Sequence, residues 1–220
     1  MSTETLEKPV VKEAEPLFSK RRKKFVTDPL NDDNPVTVQV LGICSALAVT
    51  VKMQPTLVMA IAVTLVIVFS NLLISLMRTL IPNRVRIIVQ LAVVATLVTL
   101  VSEVLKAYAF DMYKVLGAYV GLIITNCIVM GRLEAFALAN KPYDSMLDGL
   151  GSGLGYSWII LAVAFFRELF GSASIFDFKV FAAMGLDFPT NGLMVDPIGA
   201  FMILGLIIWV QRTKNGYVEH

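Results

Sequence analysis

Six apolar runs, at about residues 35–51, 56–80, 85–107, 114–138, 149–171 and 193–212, leave this chain little choice of fold. None shows the strict apolar–polar alternation of a lipid-facing barrel strand. Backbone that has no water to bond must satisfy its own N–H and C=O groups, which leaves the α-helix. A complete crossing takes about 20 apolar residues. The first run is short for that, and the fourth carries Gly117, Gly121 and Gly131. With 56% hydrophobic and 16% charged residues, and a mean hydropathy of +0.73, the chain is too apolar for an ordinary soluble domain. The expected fold is all-α: a polytopic membrane protein of six transmembrane helices.

The organisation follows from the polar stretches. Residues 1–34 read as a polar cytoplasmic tail, closed by the turn-forming pairs Asp28-Pro29 and Asn34-Pro35. Residues 35–212 form the membrane domain and 213–220 a cytoplasmic C-terminal tail. The basic run Lys20–Lys24 reads as an orientation signal. It lacks the aromatic interleaving of a nucleic-acid surface. Asp28, Asp32 and Asp33 separate it from the first apolar run, which argues against a cleaved signal peptide. Cys44 follows Ile43 and not the small residue of a lipoprotein site. With the N-terminus inside, fourteen of the 19 Lys and Arg residues fall on the cytoplasmic side, and so does the C-terminus.

Six crossings divide into two halves of three, at about 35–110 and 114–212. An odd number per half forces the halves to be inverted. The first run of each half carries one of the chain's two cysteines, Cys44 or Cys127, and each is followed by a polar break ending in proline, at Pro55 or Pro142. Paired interrupted helices at matching positions point to a site at the midplane. Buried free thiols, acting as small hydrophobes, are the plain alternative. Two cysteines make no disulfide framework. A thiolate at bilayer depth is costly unless a metal neutralises it, and sulfur does not suit an oxygen-lined cation site. Iron–sulfur ligation fits the chemistry better. Two sulfurs cannot complete a four-ligand site, so that reading requires a second chain to bring the other two.

Other polar residues have simpler roles available. Glu103 can pair with Lys106 one turn on, and Asp148 can cap a helix at the start of the glycine run Gly149–Gly155. Both are also candidates for a cation pathway, because acids near a midplane site mark ion routes. The glycine run offers small faces for close helix packing. Its spacing does not match a nucleotide-binding loop. Arg132, Arg167 and Glu168 are expected at the membrane edges. His220, at the last position, has no evident place in a ligand set.

Four segments carry a family resemblance: Leu41-Gly-Ile-Cys-Ser-Ala-Leu-Ala-Val-Thr50, Ile81-Pro-Asn-Arg-Val-Arg-Ile-Ile-Val-Gln90, Gly121-Leu-Ile-Ile-Thr-Asn-Cys-Ile-Val-Met-Gly-Arg132 and Asp148-Gly-Leu-Gly-Ser-Gly-Leu-Gly-Tyr156. Together they resemble the D-type membrane subunits of the Nqr/Rnf family of redox-driven ion pumps. The likeness covers about residues 34–212, and the tail before it is longer than the family pattern. The resemblance implies a six-helix component of a six-subunit, sodium-translocating NADH:quinone reductase in the bacterial inner membrane. It implies a homologous, oppositely inserted E-type subunit as the immediate partner, with the A-, B-, C- and F-type subunits beyond it and lipid around it. It implies that Cys44 and Cys127 bind the iron of a [2Fe-2S] cluster whose other two cysteines come from the E-type partner. NADH, FAD, FMN and riboflavin then belong to other subunits, and this chain is not catalytic alone. The E-type component of an Rnf ferredoxin:NAD complex is the nearest alternative. There a proline usually follows the first cysteine, where this chain has Ser45. A stand-alone secondary transporter and a membrane subunit without a redox centre are the competing classes.

Overall fold

The computed structural model describes residues 27–30, 34–82, 84–108, 110–117, 119–171, 192 and 196–215. The α-helices among them, in chain order, are α1 Ile43–Val49, α2 Met53–Met77, α3 Arg86–Tyr108, α4 Phe110–Leu116, α5 Val120–Ile124, α6 Cys127–Arg132, α7 Pro142–Gly171 and α8 Pro197–Asn215. There is no strand among the described residues. Four stretches there are long and apolar enough to cross a membrane: Met53–Met77, Arg86–Tyr108, Val120–Ala137 and Pro142–Gly171. The described residues are therefore all-helical, with four candidate spans. The last apolar run forms the shorter α8, and the first contributes only the seven residues of α1.

Proline marks where helices begin. Pro142 and Pro197 open α7 and α8, and Pro55 lies in the first turn of α2. Proline is tolerated there because first-turn N–H groups have no partner inside the helix. Asp148 thus lies well inside α7 and does not cap its start, contrary to the expectation from sequence.

Helices α2 and α7 form the most extensive pair in the fold. The glycine run explains their closeness. A Cβ added to Gly149 would stand 3.2 Å from the Val68 Cα, and one on Gly153 would stand 2.8 Å from the Thr64 Cγ2. Side chains at these positions would force the helices apart. Thr64 and Ser157 use the approach to share a hydrogen bond at 3.1 Å. Met59, Val63, Val66 and Ile67 on α2 and Ile159 and Ile160 on α7 are buried in the hydrophobic core. By contrast, α3 buries only Gln90, Val94 and Val98 and exposes Ile88, Leu100 and Val104. Such an apolar face requires lipid or another chain.

Two features depart from the expected pattern. Within the stretch read as tail, Asp28–Leu30 form a 3-10 turn packed on α7, and Asn34 is fully buried. The Asn34 amide donates to the Gly155 carbonyl at 3.3 Å, and its oxygen accepts from Val36 N–H at 3.0 Å. Residues 1–26 and His220 lie outside the described residues. The fourth apolar run is also not one helix. It breaks between α5 and α6, and after α6 it widens into a π-turn at Leu133–Ala137, where Leu138 N–H reaches the Leu133 carbonyl at 3.3 Å.

Candidate functional site

Both cysteines lie in the first turn of a short helix. Cys44 is the second residue of α1 and Cys127 the first of α6. The local devices that start these helices differ. Before α1 the chain turns through two left-handed residues, Val40 at φ 59° and Gly42 at φ 82°. A β-branched residue at positive φ is strained, and Gly42 takes its conformation without that penalty. Before α6 the chain is extended at Asn126, whose side-chain oxygen accepts from Ile128 N–H at 3.3 Å as an N-cap.

The fold brings these two starts together, although the cysteines are 83 positions apart in sequence. The Gly42 N–H donates to the Cys127 sulfur at 2.8 Å, and the Cys44 and Cys127 side chains are neighbours. Cys44 is exposed at the surface of the chain, while Cys127 is half-buried. Behind the sulfurs lies a closed polar knot. The Ser45 hydroxyl pairs with the Tyr156 hydroxyl at 2.7 Å, donates to the Gly42 carbonyl at 2.9 Å and accepts from the Asn126 amide at 3.2 Å. Ser45, Asn126 and Tyr156 are all fully buried, so these bonds replace water that cannot reach them.

Contacts along α7 give the directions of the two short helices. Both begin near Tyr156, which α1 meets through Ser45 and α6 through the Ser45–Asn126 bond. The far end of α1 meets Arg167, whose guanidinium donates to the Leu47 carbonyl at 3.1 Å and the Thr50 hydroxyl at 2.8 Å. The far end of α6 is Arg132, which forms an ion pair with Asp148. At the roughly 1.5 Å rise of a helix, Asp148 is about 12 Å from Tyr156 along α7, and Arg167 is about 17 Å away on the other side. The two helices therefore run from one meeting point in opposite directions.

Of the charged residues expected at membrane edges, Arg167 and Glu168 are buried and Arg132 is partly buried, and all three act as clamps. Arg167 is 2% exposed and Glu168 4%. Arg167 supplies positive charge to the C-terminus of α1, and the Glu168 carboxylate accepts from Met53 N–H at 2.7 Å at the start of α2. Each sign suits the helix end it meets. Asp148 takes a second bond from Arg132 Nε at 3.0 Å. Glu103 is exposed on α3, and its expected partner Lys106 lies over the ring of Tyr113 at 5.8 Å. Among the described residues no group of three or more His, Cys, Asp or Glu side chains converges as a metal site. Two neighbouring sulfurs are two donors, fewer than the four that a thiolate-held cluster takes.

The sequence pointed to the cysteines but not to Gly42, Ser45, Asn126, Tyr156 or Arg167. Ser45 and Asn126 could have been found as polar neighbours of the cysteines in apolar runs. Tyr156, at the end of the glycine run, carried no such signal.

A profile described as "Rnf-Nqr subunit, membrane protein" matches residues 22–208. The chain belongs to the Rnf-Nqr membrane-subunit family. Its curated relatives include a protein of Pasteurella multocida, 53% identical over 204 residues, covering 91% of this chain and 98% of the relative. A protein of Proteus mirabilis matches with the same identity and coverage, and one of Shewanella halifaxensis is 51% identical over 197 residues, covering 89% and 94%. All three are named as the D subunit of the Na(+)-translocating NADH-quinone reductase. As a member of the Rnf-Nqr family, the chain has a hydrophobic helical body consistent with a multi-pass membrane protein.

Proposed function

We propose that this chain is the D-type membrane component of a sodium-translocating NADH:quinone reductase, and that it carries electrons across the membrane through a [2Fe-2S] cluster shared with a homologous E-type subunit. The observation that carries the reading is the meeting of two sulfurs at the starts of two oppositely running helices. That arrangement is what an inverted duplication produces at its centre. It supports two inverted halves; the six crossings of this reading rest on the six apolar runs, and the cytoplasmic termini on the distribution of Lys and Arg.

The donor set fits the group as half of it. Cys44 and Cys127 would hold iron from this side, and the partner's cysteines would meet the exposed Cys44 edge. When bound, the cluster supplies one-electron transfer at membrane depth. The chain's own residues place both sulfurs, hold that of Cys127 with Gly42 N–H, and close off water through Ser45, Asn126 and Tyr156. NADH, FAD, FMN and riboflavin are assigned to other subunits, and the A-, B-, C- and F-type subunits complete the assembly. Sodium export is coupled to this electron step, with Glu103 and Asp148 as the acids proposed for the cation path.

The test is made on the purified complex with Cys44→Ser and Cys127→Ser. Electron flow from NADH to an artificial acceptor, which bypasses the membrane cluster, is expected to survive. NADH-driven quinone reduction is expected to fall at least a hundredfold. Quinone reduction at the wild-type rate in either variant would remove the ligand assignment.

A further inference from the structure

We propose that Tyr156 is a positioning residue for the cysteine pair: it holds the 40–42 loop so that the Gly42 N–H stays on the Cys127 sulfur, and so raises the reduction potential of the group that sulfur ligates. This rests on the cluster reading above and adds a residue that neither the family match nor the ligand assignment supplies.

Tyr156 grips Gly42 by two routes. Its ring occupies the space where a side chain at Gly42 would be, with Cε2 and Cδ2 at 3.0 and 3.2 Å from an added Cβ. Its hydroxyl bonds Ser45 at 2.7 Å, and Ser45 in turn bonds the Gly42 carbonyl at 2.9 Å. Gly42 is thereby held at its Cα by the ring and, through Ser45, at its own carbonyl, which belongs to the peptide after the one that carries its N–H. Gly42 lies two residues after the strained Val40; local backbone bonds, Ala46 N–H to the Gly42 carbonyl at 3.1 Å and Leu41 N–H to the Pro35 carbonyl at 2.8 Å, hold part of the loop, and Tyr156 adds a hold from outside it. Tyr156 is fully buried on α7, whose pairing with α2 makes it the most firmly packed support available.

The consequence is electrostatic. Adding an electron makes a thiolate-ligated cluster more negative, and an N–H aimed at one of its sulfurs stabilises the reduced form more than the oxidised one. Hydrogen bonds to sulfur are one of the terms that set such potentials. Losing the Gly42 bond therefore moves the midpoint down.

The experiment is a redox titration of the cluster signal in the intact complex carrying Tyr156→Phe, which keeps the ring and removes the hydroxyl, or Ser45→Ala, which breaks the same chain of bonds from the other end. Each is expected to retain iron and to lower the reduced-to-oxidised ratio at the wild-type midpoint by about tenfold, about 59 mV for a one-electron couple. The double variant is expected to move no further than either single one. Ser157→Ala removes a hydrogen bond between α2 and α7 one residue away and is expected to leave the midpoint in place. If Tyr156→Phe prevents assembly, Ser45→Ala decides alone. Unmoved midpoints with iron retained overturn the role of Tyr156 while leaving the ligand assignment standing. An iron content indifferent to both cysteine substitutions overturns the ligand assignment itself.

Discussion

The start of α1 and the start of α6 do the same job with different chemistry. Each puts a cysteine in the first turn of a short helix, and each helix ends at an arginine. At α1 the turn is made by backbone alone, through left-handed Gly42, and no side chain caps it. At α6 the turn is made by a side chain, the Asn126 cap. At α1 the clamping arginine is borrowed from α7, whereas α6 ends in its own Arg132 and borrows the countercharge Asp148. The two starts also exchange support: Gly42 N–H bonds the α6 cysteine, and the Asn126 amide bonds Ser45 beside the α1 cysteine. Two helix starts with little sequence in common can therefore place matching cysteines, because what must match is the position of a sulfur and the direction of a helix. The difference that survives is exposure: Cys44 is open where Cys127 is half covered. In our reading the open sulfur faces the partner chain.

The comparison can be broken most forcefully at the clamps. Arg132→Ala leaves Asp148 buried without its charge partner, which costs roughly 3–5 kcal/mol. Heating the detergent-solubilised complex should show the largest loss of assembly for this variant, with Asp148→Asn also clearly destabilised. Gly42→Ala comes next. A Cβ at φ 82° and 3.0 Å from the Tyr156 ring is expected to cost about 1–3 kcal/mol and to disturb the α1 start more than the α6 start. Alkylation of Cys44 and Cys127 in metal-depleted complex checks this, since the Cys44 rate should change more.

Asn126→Ala sharpens the comparison from the other side. It removes a cap worth about 1 kcal/mol and also the cross-bond to Ser45. A stability loss smaller than that of Gly42→Ala is expected in the same assay. The smallest effect on assembly belongs to Glu103→Gln on the exposed face of α3, where melting should be unchanged. A dependence of quinone reduction on sodium that weakens in Glu103→Gln without loss of assembly supports a cation route past α3. Unchanged sodium dependence removes Glu103 from that route.

Much of the helical body was legible because long apolar runs permit only helices. The breaks were legible in outline, through Pro55 and Pro142 and through glycines in the fourth run. Their form was not. Nothing in Val40-Leu-Gly42 announces two left-handed residues, because the groups that meet Gly42, the Tyr156 ring and the Cys127 sulfur, are distant in sequence. Asn34 and Pro29 looked like tail because polar residues and turn signals read alike whether solvated or tucked against a helix. Gly155 opens the space that Pro29 fills. The charges of Arg167 and Glu168 were legible, but not their work as clamps: sequence shows the charge but not the helix end waiting for it.

The most direct measurement is iron content, together with the spectroscopic signal of the membrane cluster, in purified complexes carrying Cys44→Ser or Cys127→Ser. The account predicts that each substitution removes the same centre, with the same iron lost per complex, because both sulfurs hold one group. Retention of that centre in either variant, with the complex assembled, would contradict it.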